Sequence, residues 1–229
     1  MKKNITTLLV CFSLVFVTSG FAQRGNYRIT NGFSVAGGIS QFNIATDNFI
    51  TDQGSGFAGG FLSTVDIPHK WYNISFGIQF SENSIGISAR PSQSAPSTPN
   101  EFIDYKLFAA QFAFLVNAKV IEDHFTIDFG PMLQYNSRLE LKDNTQENYV
   151  INNYTNLTAT DIADISRFNI NGAIGASLGI KHFKLRAQYV YGFTNIFNKL
   201  ESSNLDTSGG DARLKGNTNM LVLGVIASF

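Results

Sequence analysis

Cysteine is nearly missing from this sequence: the single one, Cys11, sits inside an N-terminal apolar run rather than after it. That position excludes a lipid-modified cysteine. With the leader removed, the chain would hold no disulfide, no thiol nucleophile and no thiolate metal ligand. Charge is scarce as well. Charged residues are 15% of the chain, against roughly 25% in an ordinary soluble domain. Seventeen basic residues balance seventeen acidic ones, so no positive field points to nucleic acid as a partner. After the N-terminus no apolar run approaches the roughly 20 residues of a membrane-spanning helix. Histidine is limited to His69, His124 and His182. No acidic residue stands at ligand spacing to them, so neither a metal site nor any other cofactor is expected.

Phenylalanine (21) and glycine (20) are abundant, and apolar and polar residues alternate along most of the chain. The N-terminus reads as a secretory signal. Lys2 and Lys3 form its positive region, Ile5 to Val17 its apolar region, and Gly20-Phe21-Ala22 its small-residue cleavage site. This assigns residues 1–22 to a signal peptide and 23–229 to one mature domain. An exported, aromatic-rich, weakly charged chain without spanning helices points to β structure in an outer membrane.

Alternation with a period of two marks eight strands. They are expected at Gly32–Ile44, Gly56–Asp66, Trp71–Ser81, Asp104–Val120, Phe125–Leu141, Phe168–Ile180, Phe183–Asn195 and Thr218–Phe229. Pro131 is expected to mark a bulge in the fifth. Short turns at 67–70, 121–124 and 181–182 alternate with long loops at 45–55, 82–102, 142–167 and 197–217. Loop 82–102 includes a Pro- and Ser-rich stretch too dense in breakers for a strand. The fold class is therefore all-β: an eight-stranded antiparallel up-and-down transmembrane β-barrel with four long extracellular loops and three short periplasmic turns. Facing residues of a hairpin must point to one side. Val65 with Tyr72, Val120 with Phe125 and Ile180 with Phe183 each join apolar face to apolar face. An eight-stranded soluble carrier would instead turn its polar face to water. Here that face carries Gly, Ser, Asn and Gln with few charges, and aromatics gather near both strand ends.

Chemistry is sparse. All three histidines fall in periplasmic turns, so none can activate a serine near the outer leaflet, and no enzymatic activity is expected. Asp66, Lys119, Asp128, Lys184 and Arg186 share the inward face near the periplasmic end. They are expected to form a salt-bridge and hydrogen-bond network in the lumen. A gate on a narrow ion path is the sharper alternative. Glu147, Asp161, Asp164, Asp206 and Asp211 in the loops match no calcium-binding spacing. The last strand is expected to descend to the periplasm and pair with the first near Phe33. Phe229 would then be an assembly signal read by the barrel assembly machinery.

The segments Gly130-Pro131-Met132-Leu133-Gln134-Tyr135 and Tyr189-Val190-Tyr191-Gly192-Phe193-Thr194-Asn195-Ile196 resemble the PorT-like outer-membrane β-barrel family, small barrels of the porin type. Members of that family carry G-P-x-x-x-Y in strand five and Y-x-Y-G-[LF]-x-N-[IL] in strand seven. The resemblance spans the mature chain and implies an eight-stranded barrel in a Gram-negative outer membrane. It implies no shared activity. Its namesake is associated with protein secretion, which makes an accessory role there an alternative. The leading expectation is a structural or surface-interaction role through the extracellular loops. The expected partners are outer-membrane lipid, the assembly machinery and an extracellular or secretion-system protein.

Overall fold

The structure, a computed structural model, describes residues 30–91, 100–122, 124–180 and 182–229. The signal segment 1–22 and most of the Pro- and Ser-rich stretch lie outside these residues. Eight long strands form the wall: β1 (Thr30–Ala45), β2 (Thr51–Asp66), β3 (Tyr72–Arg90), β4 (Glu101–Ile121), β5 (Phe125–Asn136), β6 (Phe168–Ile180), β7 (Phe183–Gly192) and β8 (Asn217–Ser228). Each pairs antiparallel with its neighbours in sequence, and β8 returns to β1. The β1–β8 seam is continuous from Ser34 with Ser228 to Ala45 with Asn217. The N–H of Phe229 then donates to the Phe33 carbonyl at 2.8 Å. The wall is thus an eight-stranded antiparallel barrel, as its alternation predicts.

Outward residues form an apolar band. Ile39, Phe57, Phe112, Leu133, Ile174, Leu185 and Leu223 are all exposed on it. The outward stretch from Phe125 to Tyr135 covers about 11 residues. At about 3.3 Å each and a tilt of about 40° they rise about 25 Å, close to the height of a lipid-facing band. Aromatic pairs rim the loop end: Phe80 with Phe108 at 6.3 Å, Tyr135 with Phe168 at 5.0 Å and Tyr191 with Phe193 at 5.8 Å. Phe33 and Phe61 stack nearer the turn end.

Several boundaries differ from expectation, each for a physical reason. β3 and β4 run on through most of the predicted loop 82–102, pairing from Glu82 with Phe108 up to Ala89 with Glu101. Ile85, Ile87 and Ala89 continue the inward parity of Ser81 and Asn83 and are fully buried. Their burial supports strand beyond the point where outward apolarity stops. β2 likewise begins at Thr51, with a register shift between Gln53 and Gly56. β5 breaks off at Asn136, but Glu140 and Leu141 pair again with Lys106 and Tyr105 of β4, so the expected strand to Leu141 is interrupted rather than cut short. Leu139 leaves the expected outer face and is buried in the core. Pro131 makes no bulge: the β4–β5 register is the same at Ala113–Met132 and Val116–Phe129. The irregularity lies between Lys119 and Ile121. Phe125 consequently faces Ile121 rather than Val120, and Val65 faces Ile74 rather than Tyr72. Ile180 faces Phe183 as expected.

Two adjacent glycines of β1 give a test of wall packing. A Cβ on Gly38 would lie 2.2 Å from the Leu223 carbonyl oxygen, across the closing seam. A Cβ on Gly37 would meet nothing within 4 Å. Gly38→Ala should destabilise the barrel by about 1–3 kcal/mol through overpacking, whereas Gly37→Ala should be nearly neutral. Urea titration of the heat-modifiable folded band checks both.

Candidate functional site

The interior is layered along the barrel axis. At the turn end lies a polar vestibule of about 390 Å³. Its walls include Ser34, Thr64, Asn73, Ser75, Asn117, Thr126 and Ser177, with His182 and Phe229 near the mouth. The sequence-predicted charges meet here, as two separate pairs rather than one network. Lys119 Nζ donates to Asp66 Oδ1 at 2.8 Å, and Arg186 Nη2 donates to Asp128 Oδ2 at 2.6 Å. The second pair is far more enclosed: the Asp128 and Arg186 side chains are 2% and 9% exposed. Lys184 lines the vestibule but makes no ion pair among the described residues.

Side-chain amides fill the middle. Gln111 Nε2 and Asn171 Nδ2 both donate to Gln134 Oε1 at 2.6 Å, and Gln134 Nε2 donates to Asn136 Oδ1 at 2.6 Å. Ser40 Oγ donates to Asn83 Oδ1 at 2.6 Å. Two free spaces at this level measure about 20 and 10 Å³, room for about one water each. Gln79 Nε2, Gln188 Nε2 and Arg186 Nε find no protein partner, and all three residues border the larger void. The amides were legible as polar inward residues, but their joining into one layer was not.

The loop end is closed by an apolar cap that the sequence reading missed. Beyond the aromatic rim the wall inverts its polarity. Gln41, Asp104 and Lys106 point outward, while Phe42, Ile44, Ile103, Tyr105 and Leu107 are buried inside. Segments 137–167 and 193–216 fold into the mouth and bring Leu139, Ile151, Tyr154, Leu157, Ile162, Ile165, Ile196, Phe197, Leu200 and Leu214 into one core. Phe49 of the β1–β2 connection packs edge-on against Phe197 at 5.1 Å. The cap is also hydrogen-bonded to the wall. Ile151 pairs with Ala89, Tyr105 Oη donates to the Ala159 carbonyl at 3.0 Å, and Arg90 Nη2 donates to the Tyr154 carbonyl at 2.8 Å. Asn48 joins the cap segments: its Nδ2 donates to the Arg213 carbonyl and its Oδ1 accepts from Lys215 N–H. A change of face within a strand, as from Ile39 to Phe42, was the available signal.

The loop acids are engaged within the cap. Asp161 Oδ2 accepts from the N–H and hydroxyl of Thr158, and Asp206 accepts from Ser208 and Asn156. Asp164 receives Lys199 Nζ at 2.6 Å, Arg138 Nε at 3.4 Å and Arg167 Nη2 at 3.8 Å. The hydrogen bond from Lys199, aided by the charges of all three cations, holds its carboxyl below the usual range. Among the described residues no group of three or more His, Cys, Asp or Glu could hold a metal.

The motif segments have structural work. Asn195 Oδ1 accepts from the N–H groups of Phe197 and Gly216, its Nδ2 donates to the Leu214 carbonyl, and Ile196 is buried beside it. Tyr189, Tyr191 and Phe193 stand on the outer face. No family profile and no curated protein matches the chain, so the PorT-like resemblance rests on these segments. Among solved structures the chain is similar to Neisserial surface protein A, with 14% identity and a TM-score of 0.50 over 86% of this chain and 97% of that one. The outer membrane protein OprG from Pseudomonas aeruginosa aligns at 9% identity and TM-score 0.47, over 88% and 97%. The NanC porin aligns at 9% and 0.25, over 86% and 98%. The first of these likenesses bears on the fold alone.

Breaking the Asp128–Arg186 pair leaves a buried charge. Asp128→Ala or Arg186→Met should each cost about 3–5 kcal/mol, and the double variant clearly less than the sum; denaturant midpoints of the four proteins check this. The Asp164 tie has a pH signature. Because its folded pKa is depressed from 3.8, its contribution is present above that value and lost as pH falls through the lower one. The protection of amides 160–167 against hydrogen exchange, taken relative to the intrinsic rate at each pH, should fall below about pH 4, and less so in Lys199→Gln.

Proposed function

We propose that this chain is an integral outer-membrane β-barrel with a structural or surface-interaction role and no catalytic activity. Its turn end faces the periplasm and its capped loop end faces the cell exterior. Residues 1–22 direct export and are removed, leaving 23–229 as the membrane domain. The observation that carries this reading is the pair of opposite polarities in one wall. Between the aromatic rims the outside is apolar and the inside polar, as lipid demands. Above the loop-end rim the outside is polar and the inside apolar, as water demands. A soluble carrier would expose the whole apolar band, far beyond the patches tolerated on a water-soluble surface.

Activity is assigned to the outer surface because the middle and the loop end of the interior are occupied by side chains. The amide layer and the apolar cap leave the lumen filled, and the histidines stand at the turn end: exposed His124 and His182 and the turn residue His69. The cap is a folded platform rather than a set of free arms, so a partner would meet a preformed surface made by segments 137–167 and 193–216.

In a Gram-negative host the protein should fractionate with the outer membrane and change gel mobility on heating. A cysteine at exposed Asn148 should react with an impermeant maleimide in intact cells, and one at Lys70 only after the outer membrane is permeabilised. Recovery in the soluble periplasmic fraction, or the reverse labelling pattern, would overturn the proposal.

A further inference from the structure

At the rim where β5, β6 and the short helix α1 (Asn198–Glu201) meet, three cations gather around a single carboxylate. Two other ion pairs on that rim join one cation to one carboxylate: Lys106 with Glu82 at 3.9 Å and Lys142 with Asp104 at 3.2 Å. Around Asp164, three cations share one carboxylate. Two further acids lie in the same segments but are not within ion-pair distance of these cations among the described residues. Asp161 is held by Thr158, and Glu201 is exposed without an ion pair among the described residues.

The height of this cluster is set by the chain itself. Arg167 directly precedes Phe168, whose ring is 79% exposed on the outer face. Arg138 follows Tyr135 by three residues, and the Tyr135 and Phe168 rings meet at 5.0 Å. Phe193 stands beside them, 65% exposed. Interfacial aromatics mark the boundary between acyl chains and head groups. The cations therefore sit one step above that boundary, where lipid phosphates lie. Asp164 holds three flexible side chains together, which lowers the ordering cost of receiving an anion. Arg138 meets Asp164 through Nε, and its side chain is 59% exposed.

Resting on the outer-membrane placement proposed above, we infer that Arg138, Arg167 and Lys199, gathered by Asp164, form a binding site for a phosphate group of an outer-leaflet glycolipid. The guanidinium groups supply paired N–H donors matched to phosphate oxygens. The exposed Tyr135, Phe168 and Phe193 below supply the surface for its acyl chains. A lipid source is favoured over free phosphate because those rings adjoin the cations directly.

The full mature barrel, refolded in detergent, tests this by native mass spectrometry against bis-phosphorylated lipid A, its dephosphorylated form and inorganic phosphate. At about 1 kcal/mol per basic residue near a charged surface, the phosphorylated lipid should be retained about 10- to 30-fold better than the dephosphorylated one. Arg138→Gln/Lys199→Gln should erase that preference, and Lys106→Gln/Lys142→Gln should keep it. Heat-modifiable mobility reports whether each variant is folded. Should the double variant fold poorly, Arg138→Gln alone reads the same contrast. Equal retention of the two lipids, an unchanged preference in the double variant, or displacement by millimolar inorganic phosphate would overturn the site. Surface labelling reads the orientation separately: correct labelling without phosphate preference sinks the site alone, whereas reversed labelling sinks both.

Discussion

Closing the sheet on itself is the constraint on which the other features depend. Within lipid a backbone N–H or C=O has no water to turn to, and each unsatisfied group costs several kcal/mol. The seam from Ser34–Ser228 to Ala45–Asn217 removes the last free edge. Once it is made, every side chain in the wall must choose between an outer and an inner face. The close approach of Gly38 to Gly224 shows how tightly the seam is drawn.

Filling the small lumen of eight strands is the second demand, and it is met differently at each level. Near the turn end, where water can enter, the Asp128–Arg186 and Asp66–Lys119 pairs are tolerated beside a vestibule. At mid-height, charge gives way to amides that bond to one another, since a buried unpaired charge would be far costlier than a shared neutral hydrogen bond. Above the loop-end rim the outer face becomes polar, and the interior becomes an ordinary hydrophobic core. Burying side chains such as Phe197, Ile162 and Leu157 contributes about 1.5–3 kcal/mol each before chain ordering is charged against it.

Under the proposed reading, this layering moves function to the surface. The amide layer and the bonded cap occupy the middle and the loop end of the interior, and Asp161, Asp164 and Asp206 are engaged by their own neighbours. What remains available is the outer contour of the cap and the cationic rim beneath it. Asp164 connects the two: it ties segment 137–167 to α1 through Lys199 and collects Arg138 and Arg167 beside the exposed aromatics.

Alternation alone specified much of this molecule. The eight strands, their order, the lipid-facing side and the inward placement of Asp66, Asp128, Lys184 and Arg186 follow from parity, because a strand has just two faces and a closed ring leaves little choice of partner. Parity also carried a signal that composition concealed: Ile85 and Ile87 keep the inward phase of Ser81 and Asn83, yet the Pro- and Ser-rich stretch nearby suggested a loop. Only the folded structure paired Asp128 with Arg186 and Asp66 with Lys119 while leaving Lys184 aside, since which opposite charges meet depends on strand stagger around the ring. It alone turned Leu139 inward, folded segments 137–167 and 193–216 into the mouth, and brought Arg138, Arg167 and Lys199 to one carboxylate. Those contacts join residues far apart in sequence through irregular backbone, which has no period for a sequence to display.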